Sequence, residues 1–153
     1  MDDIPVGAWQ SSLGNNSHYL DAGYEPMYPF GYGLTYSTIE YTNLSMDAEV
    51  YSKDDALKVS FTLTNTGKTE ATEIVQYYIQ DKFGSVVRPI RELVGFDRVH
   101  LKAGESRKIS FELPISKLAF YNAESKWVVE PGEFNFWIAP NAAEGLEANF
   151  VVK

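Results

Sequence analysis

Leu57-Lys58-Val59-Ser60-Phe61-Thr62-Leu63-Thr64 alternates apolar and polar residues without a break, and Asn65-Thr66-Gly67 ends the run. A period of two places every second side chain on the same face of a strand. Here Leu57, Val59, Phe61 and Leu63 form an inward face, while Lys58, Ser60, Thr62 and Thr64 face water. Asn and Gly then supply turn chemistry. The stretch reads as one half-buried strand of a sheet that is wet on its other side.

The same reading extends outward in both directions, from about Ile39 to the C-terminus. Ile74 to Gln80 carries Val75, Tyr77 and Ile79 on one face and Ile74, Gln76 and Tyr78 on the other, so this strand is expected to be covered on both sides. Val94 to Leu101 is extended and stops at Ala103-Gly104. Ile109, Phe111 and Leu113 alternate up to Pro114. Trp127 to Glu130 runs into Pro131-Gly132, and Phe134, Phe136 and Ile138 mark the next strand. Leu146, Ala148, Phe150 and Val152 mark the last. A helical turn fits only Ser116 to Phe120. Strands at short spacing with turn residues between them predict an all-β sandwich over residues 38–153.

Residues 1–37 have a different character. They are rich in Gly, Pro, Asn, Ser and Tyr and show neither period. So long an irregular stretch is unusual inside a compact domain. Trp9, Tyr19, Tyr24, Tyr28, Phe30, Tyr32 and Tyr36 make it too aromatic for a flexible linker. It reads as an arm shaped to lie on a surface.

The composition narrows the function. The 153 residues are 44% hydrophobic and 14% aromatic, enough for a single globular core. A net charge of −8 argues against a nucleic-acid partner or an anionic membrane surface. No stretch is long and apolar enough to insert in a bilayer. Met1-Asp2-Asp3-Ile4-Pro5 has neither a basic nor an apolar signal region, so no secretory leader is expected there. With no cysteine there is no thiol nucleophile, disulfide or cysteine-held metal.

Catalytic chemistry finds little support. No Gly-x-Ser-x-Gly elbow occurs. His18 sits in a polar stretch of the arm. The alternation turns His100 to solvent, and the two lack metal-ligand spacing. Glycoside hydrolysis needs two carboxylates facing one cleft, one of them desolvated. The acids here fall at turns or polar strand positions, such as Asp54, Asp55, Glu105 and Glu112. Gly31-Tyr32-Gly33 lacks the Lys-Ser/Thr of a phosphate loop. No metal or cofactor is expected. Aromatic residues remain the enriched class. Phe61, Phe111, Phe134 and Phe136 fit core positions, whereas Trp137 lies opposite Phe136 and is the candidate for stacking on a sugar ring.

Several stretches, taken in order, resemble one known module. Tyr28-Pro29-Phe30-Gly31-Tyr32-Gly33-Leu34-Thr35-Tyr36 is similar to the segment that leads into the C-terminal fibronectin type III-like domain of glycoside hydrolase family 3 enzymes. Thr64-Asn65-Thr66-Gly67, Ile74-Val75-Gln76-Tyr77-Tyr78, Arg88-Pro89-Ile90-Arg91-Glu92-Leu93-Val94-Gly95-Phe96, Leu101-Lys102-Ala103-Gly104-Glu105 and Trp127-Val128-Val129-Glu130-Pro131-Gly132-Glu133-Phe134 resemble successive motifs of that domain. The resemblance departs at Ala71-Thr72 and Ala139-Pro140-Asn141, both expected to lie in connections.

The resemblance implies a fibronectin type III-like sandwich behind an irregular arm, and a parent enzyme of the β-glucosidase kind acting in the periplasm or outside the cell. It implies that the catalytic residues lie in preceding domains, so none is carried over to this chain. The expected role is structural: docking on the catalytic domains of the same chain, with weak self-association of the isolated piece. Tyr28, Phe30, Tyr32 and Tyr36 are the candidate anchors, since aromatic side chains dominate interface energetics. Packing of these rings on the sandwich itself is the competing expectation. A carbohydrate-binding module using Trp137 is the alternative function.

Overall fold

The computed structural model describes residues 30–33, 37–82, 91–121 and 125–153. Ten strands run in chain order: β1 (Ile39–Met46), β2 (Val50–Tyr51), β3 (Ala56–Asn65), β4 (Ala71–Asp81), β5 (Glu92–Leu101), β6 (Ser106–Pro114), β7 (Phe120–Tyr121), β8 (Trp127–Val128), β9 (Gly132–Ala139) and β10 (Leu146–Val152). One sheet has the order β1-β3-β6 and the other β2-β10-β9-β4-β5, with β7 and β8 forming a separate ribbon. Every pairing is antiparallel except β2 with β10. The chain is therefore the all-β sandwich that the alternation predicts.

The opening stretch is β3, the central strand of the smaller sheet. Leu57, Val59, Phe61 and Leu63 are all buried, as their period requires. They meet Val75, Tyr77 and Ile79 of β4 and Phe134, Phe136 and Ile138 of β9. Rings tie the two sheets together. Tyr77 stacks on Phe111 with centroids 3.8 Å apart, and Phe61 meets Tyr77 edge-on at 6.2 Å. Such pairs add to the apolar area that they bury. Among the described residues the one helical turn is a 3-10 turn at Ile115–Leu118, one residue earlier than the pattern indicates, because Ile115 and Leu118 are both buried in the core.

Asn65 does more than make a turn. Fully buried at the end of β3, it donates from Nδ2 to the carbonyls of Thr69 and Leu101. Its Oδ1 accepts from the Gly67 amide and from the Ser37 hydroxyl, the latter at 2.6 Å. Ser37 closes so tightly on this turn that a Cβ at Gly67 would lie 1.9 Å from Ser37 Oγ. A satisfied buried amide thus fastens the residues before β1 to the ends of β3 and β5.

A second polar contact lies between the sheets. Tyr41 Oη donates to Glu73 Oε1 at 2.7 Å, and Tyr41 stacks parallel to Phe61. Burial raises the Glu73 pKa, and the Tyr41 bond only partly offsets it. Burial likewise pushes both Tyr41 and Tyr77 above the ordinary phenol range, with the acceptors Glu73 and Asp97 adding to it.

Candidate functional site

The candidate site lies on the outer side of the five-stranded sheet, where the arm meets the sandwich. Cross-strand register builds it in rows. Phe96, Gln76 and Ala139 make one row across β5, β4 and β9. Leu93, Tyr78 and Trp137 make the next, continued by Glu147 on β10. A residue pair in antiparallel register shares a face, so these side chains are neighbours.

Gln76 organises the site. Its Nε2 donates to the carbonyls of Gly31, at 3.0 Å, and Pro140, at 2.7 Å. Its Oε1 accepts from the Tyr78 hydroxyl at 2.5 Å. All of its hydrogen-bonding capacity toward the arm and the β9–β10 connection is used, which lets a polar side chain be buried in an otherwise apolar strand. The Ala142 amide adds a bond to the Phe30 carbonyl at 2.9 Å. The arm backbone at Phe30-Gly31 is thereby stitched to the sheet from both sides.

Gly31 is required there. Its φ is +78°, and a Cβ would fall 2.0 Å from Gln76 Oε1. Only a residue without a side chain reaches the left-handed region at so little cost and lets the backbone come so close. With the backbone pinned, Phe30 is left 55% exposed and Tyr32 45% exposed. These two candidate anchors are thus presented outward from a fixed backbone. The other two, Tyr28 and Tyr36, lie outside the described residues.

Trp137 does not present a sugar-stacking face. Its side of β9 is indeed opposite Phe136, but the residue is only 5% exposed. Tyr78, Ala139 and Ala142 form an apolar cluster with it. The Arg91 guanidinium sits 4.2 Å from its ring centroid, in cation–π geometry. Arg91 also donates from Nη1 to the Ala142 carbonyl at 2.5 Å. Alternation along β9 gives the face that Trp137 occupies and not whether that face is covered. Gln76, Arg91 and Ala142 are the residues that site-by-site reading missed. The available signal was Gln76 itself, a polar residue in an apolar run, which must find partners if it is buried.

Elsewhere, His100 is exposed and reaches Glu70 at 3.6 Å. Among the described residues, no three acids or histidines are grouped to hold a metal ion, and no helix is long and apolar enough to cross a membrane.

The two packed, mostly antiparallel sheets form a β-sandwich, and residues 73–142 match the family model of the fibronectin type III-like domain. The chain is 37% identical over 134 residues to the periplasmic β-glucosidase of Salmonella typhimurium, covering 88% of this chain and 18% of that protein. It is 39% identical over 123 residues to a β-xylosidase of Formosa agariphila, covering 80% and 17%. Among solved structures, the β-glucosidase of Listeria innocua in complex with glucose superposes with a TM-score of 0.86 at 33% identity, over 98% of this chain and 22% of that one. The chain belongs to the fibronectin type III-like domains of family 3 glycoside hydrolases, and it spans about a fifth of the length of the curated relatives it matches.

Proposed function

We propose that the chain is a non-catalytic accessory domain of a β-glucosidase-like glycoside hydrolase, docking on the catalytic domains of the same polypeptide and stabilising them. The observation that carries this reading is the pinned arm. Gln76 and Ala142 fix the backbone at Phe30-Gly31, while the side chains of Phe30 and Tyr32 keep about half of their surface in solvent. Rigid aromatic side chains on an ordered backbone lose little entropy when covered, which suits them to anchor an interface.

The carboxylates support a non-catalytic role. Glu73, whose pKa burial raises, is engaged by Tyr41 between the sheets rather than facing a cleft. Glycosidases need two acids on either side of one sugar. The periplasmic relative from Salmonella supports a parent working in the periplasm or outside the cell. We assign residues 1–37 to the arm and 38–153 to the sandwich. The competing sugar-binding function loses its named residue, since Trp137 is covered by Arg91.

The test uses the isolated chain and the complete reading frame that carries it. The chain alone should release no nitrophenol from aryl β-glucosides or β-xylosides, and the complete product should. Deleting this chain from the complete product should lower the melting temperature of what remains. Turnover by the isolated chain that survives repurification would overturn the reading, as would a complete frame without hydrolase activity.

A further inference from the structure

We infer that the docking surface extends beyond the arm onto the outer side of the β4–β5 edge, where Ile74, Leu93 and Phe96 meet an apolar, carboxylate-bearing patch on the remainder of the enzyme chain. This rests on the docking reading above and names the surface and the partner chemistry.

The three side chains are all exposed, Phe96 at 65%. They do not lie scattered. Phe96 is paired directly across from Gln76, the residue that holds Gly31 of the arm, and Leu93 is paired across from Tyr78. Ile74 lies on the same face of β4, two residues before Gln76. The apolar patch is therefore continuous with the pinned segment that presents Phe30 and Tyr32. Three large apolar residues on one side of a strand pair, beside the segment that carries Phe30 and Tyr32, make a patch of the kind that marks protein contacts. Arg91 covers Trp137, and the Phe30-Gly31 backbone covers Gln76, while Thr72, Arg98 and His100 line the polar end of this face.

Charge indicates what the partner carries. The whole chain has 21 acidic residues against 13 basic. Between Leu93 and His100 the only acid is Asp97, and it turns inward to accept from the Tyr77 hydroxyl at 2.7 Å. The outer side of this stretch shows Phe96, Arg98 and His100. β5 is also the edge strand of its sheet. Such edges are usually blunted with charge or covered. An apolar strip bordered by Arg98, and by His100 that already faces Glu70 at 3.6 Å, fits an apolar partner surface whose carboxylate meets Arg98. The relatives supply a covalently linked candidate, because about four-fifths of each lies outside the matched part.

Hydroxyl-radical footprinting of the complete reading-frame product tests this. Phe96, Leu93 and Ile74 should label several-fold more slowly than in the isolated chain, while Met46 near the opposite sheet should label equally in both. In the complete product, Phe96→Ser should restore labelling of Leu93 and Ile74. If Phe30 is protected while Phe96 and Leu93 label at the open rate, this inference fails and the arm-docking reading stands. If none of them is protected, both fail. If the isolated chain shows protection of Phe96 that grows with its own concentration, the occupant is a second copy and the inference is overturned.

Discussion

The two sheets turn opposite characters outward. Across β3 and β6 the outer face pairs Lys58 with Glu112, Ser60 with Ser110, Thr62 with Lys108 and Thr64 with Ser106. It is a wet surface of hydroxyls and mixed charge, with Thr64 and Ser106 joined by a hydrogen bond. Across β5, β4 and β9 the outer face instead carries Leu93, Tyr78, Trp137, Phe96, Gln76 and Ala139. Part of it is sealed by the arm and by Arg91, and the exposed part carries Ile74, Leu93 and Phe96, with Arg98 and His100 at one end. A domain that worked alone would have reason to polarise both outer faces. The asymmetry is what a domain built to lean on something by one side should show.

Substitutions on the two faces put the contrast to the test. The largest expected effect is at Trp137. Truncation to Ala removes a buried ring and strands Arg91, and should cost the isolated chain about 3–5 kcal/mol by urea denaturation. Next is Gln76→Ala, which leaves the carbonyls of Gly31 and Pro140 without their donor. A loss of about 2–3 kcal/mol is expected, and limited proteolysis should show the arm released. On the other face, Ser110→Ala should stay within about 0.5 kcal/mol of the parent. Equal losses on both faces would erase the contrast.

A smaller effect lies between the faces, at Glu73. Burial raises its folded-state pKa above the unfolded value, so the folded chain holds the proton more tightly. The stability this provides is full below the unfolded pKa and is lost as pH rises through the folded one. Glu73→Gln carries no charge to bury and still accepts from Tyr41. Relative to the parent, its melting temperature should therefore rise as pH climbs from the ordinary carboxylate pKa through the raised folded one. A difference that is constant with pH would show that the folded and unfolded chains hold the Glu73 proton equally tightly, so that burial does not raise its pKa.

Much of this was legible from residue order. The period of two along β3 and β9 gives their inward faces correctly, because both strands have one side in the core and little local competition. β4 shows where such reading stops. Ile74 is exposed and Gln76 is buried, the reverse of their polarity. The reason is tertiary: the segment at Phe30-Gly31 and the Pro140 carbonyl reach position 76 and do not extend to 74. Trp137 is the same lesson on β9, since its cover comes from Arg91, distant in sequence. Asn65 reads as a turn residue, yet its four bonds bind three segments. The family resemblance rests on motifs that include Asn65, Gln76 and Arg91, and each of them proves to be a junction between elements.

The central claim is that this domain is shaped for a neighbour, and Phe30 tests it most directly. Phe30→Ser should be compared by thermal unfolding in the isolated chain and in the complete reading-frame product. The account predicts an unchanged melting temperature in the isolated chain, where the ring already faces water, and a drop of several degrees in the complete product. An equal drop in both, or none in the complete product, would contradict it.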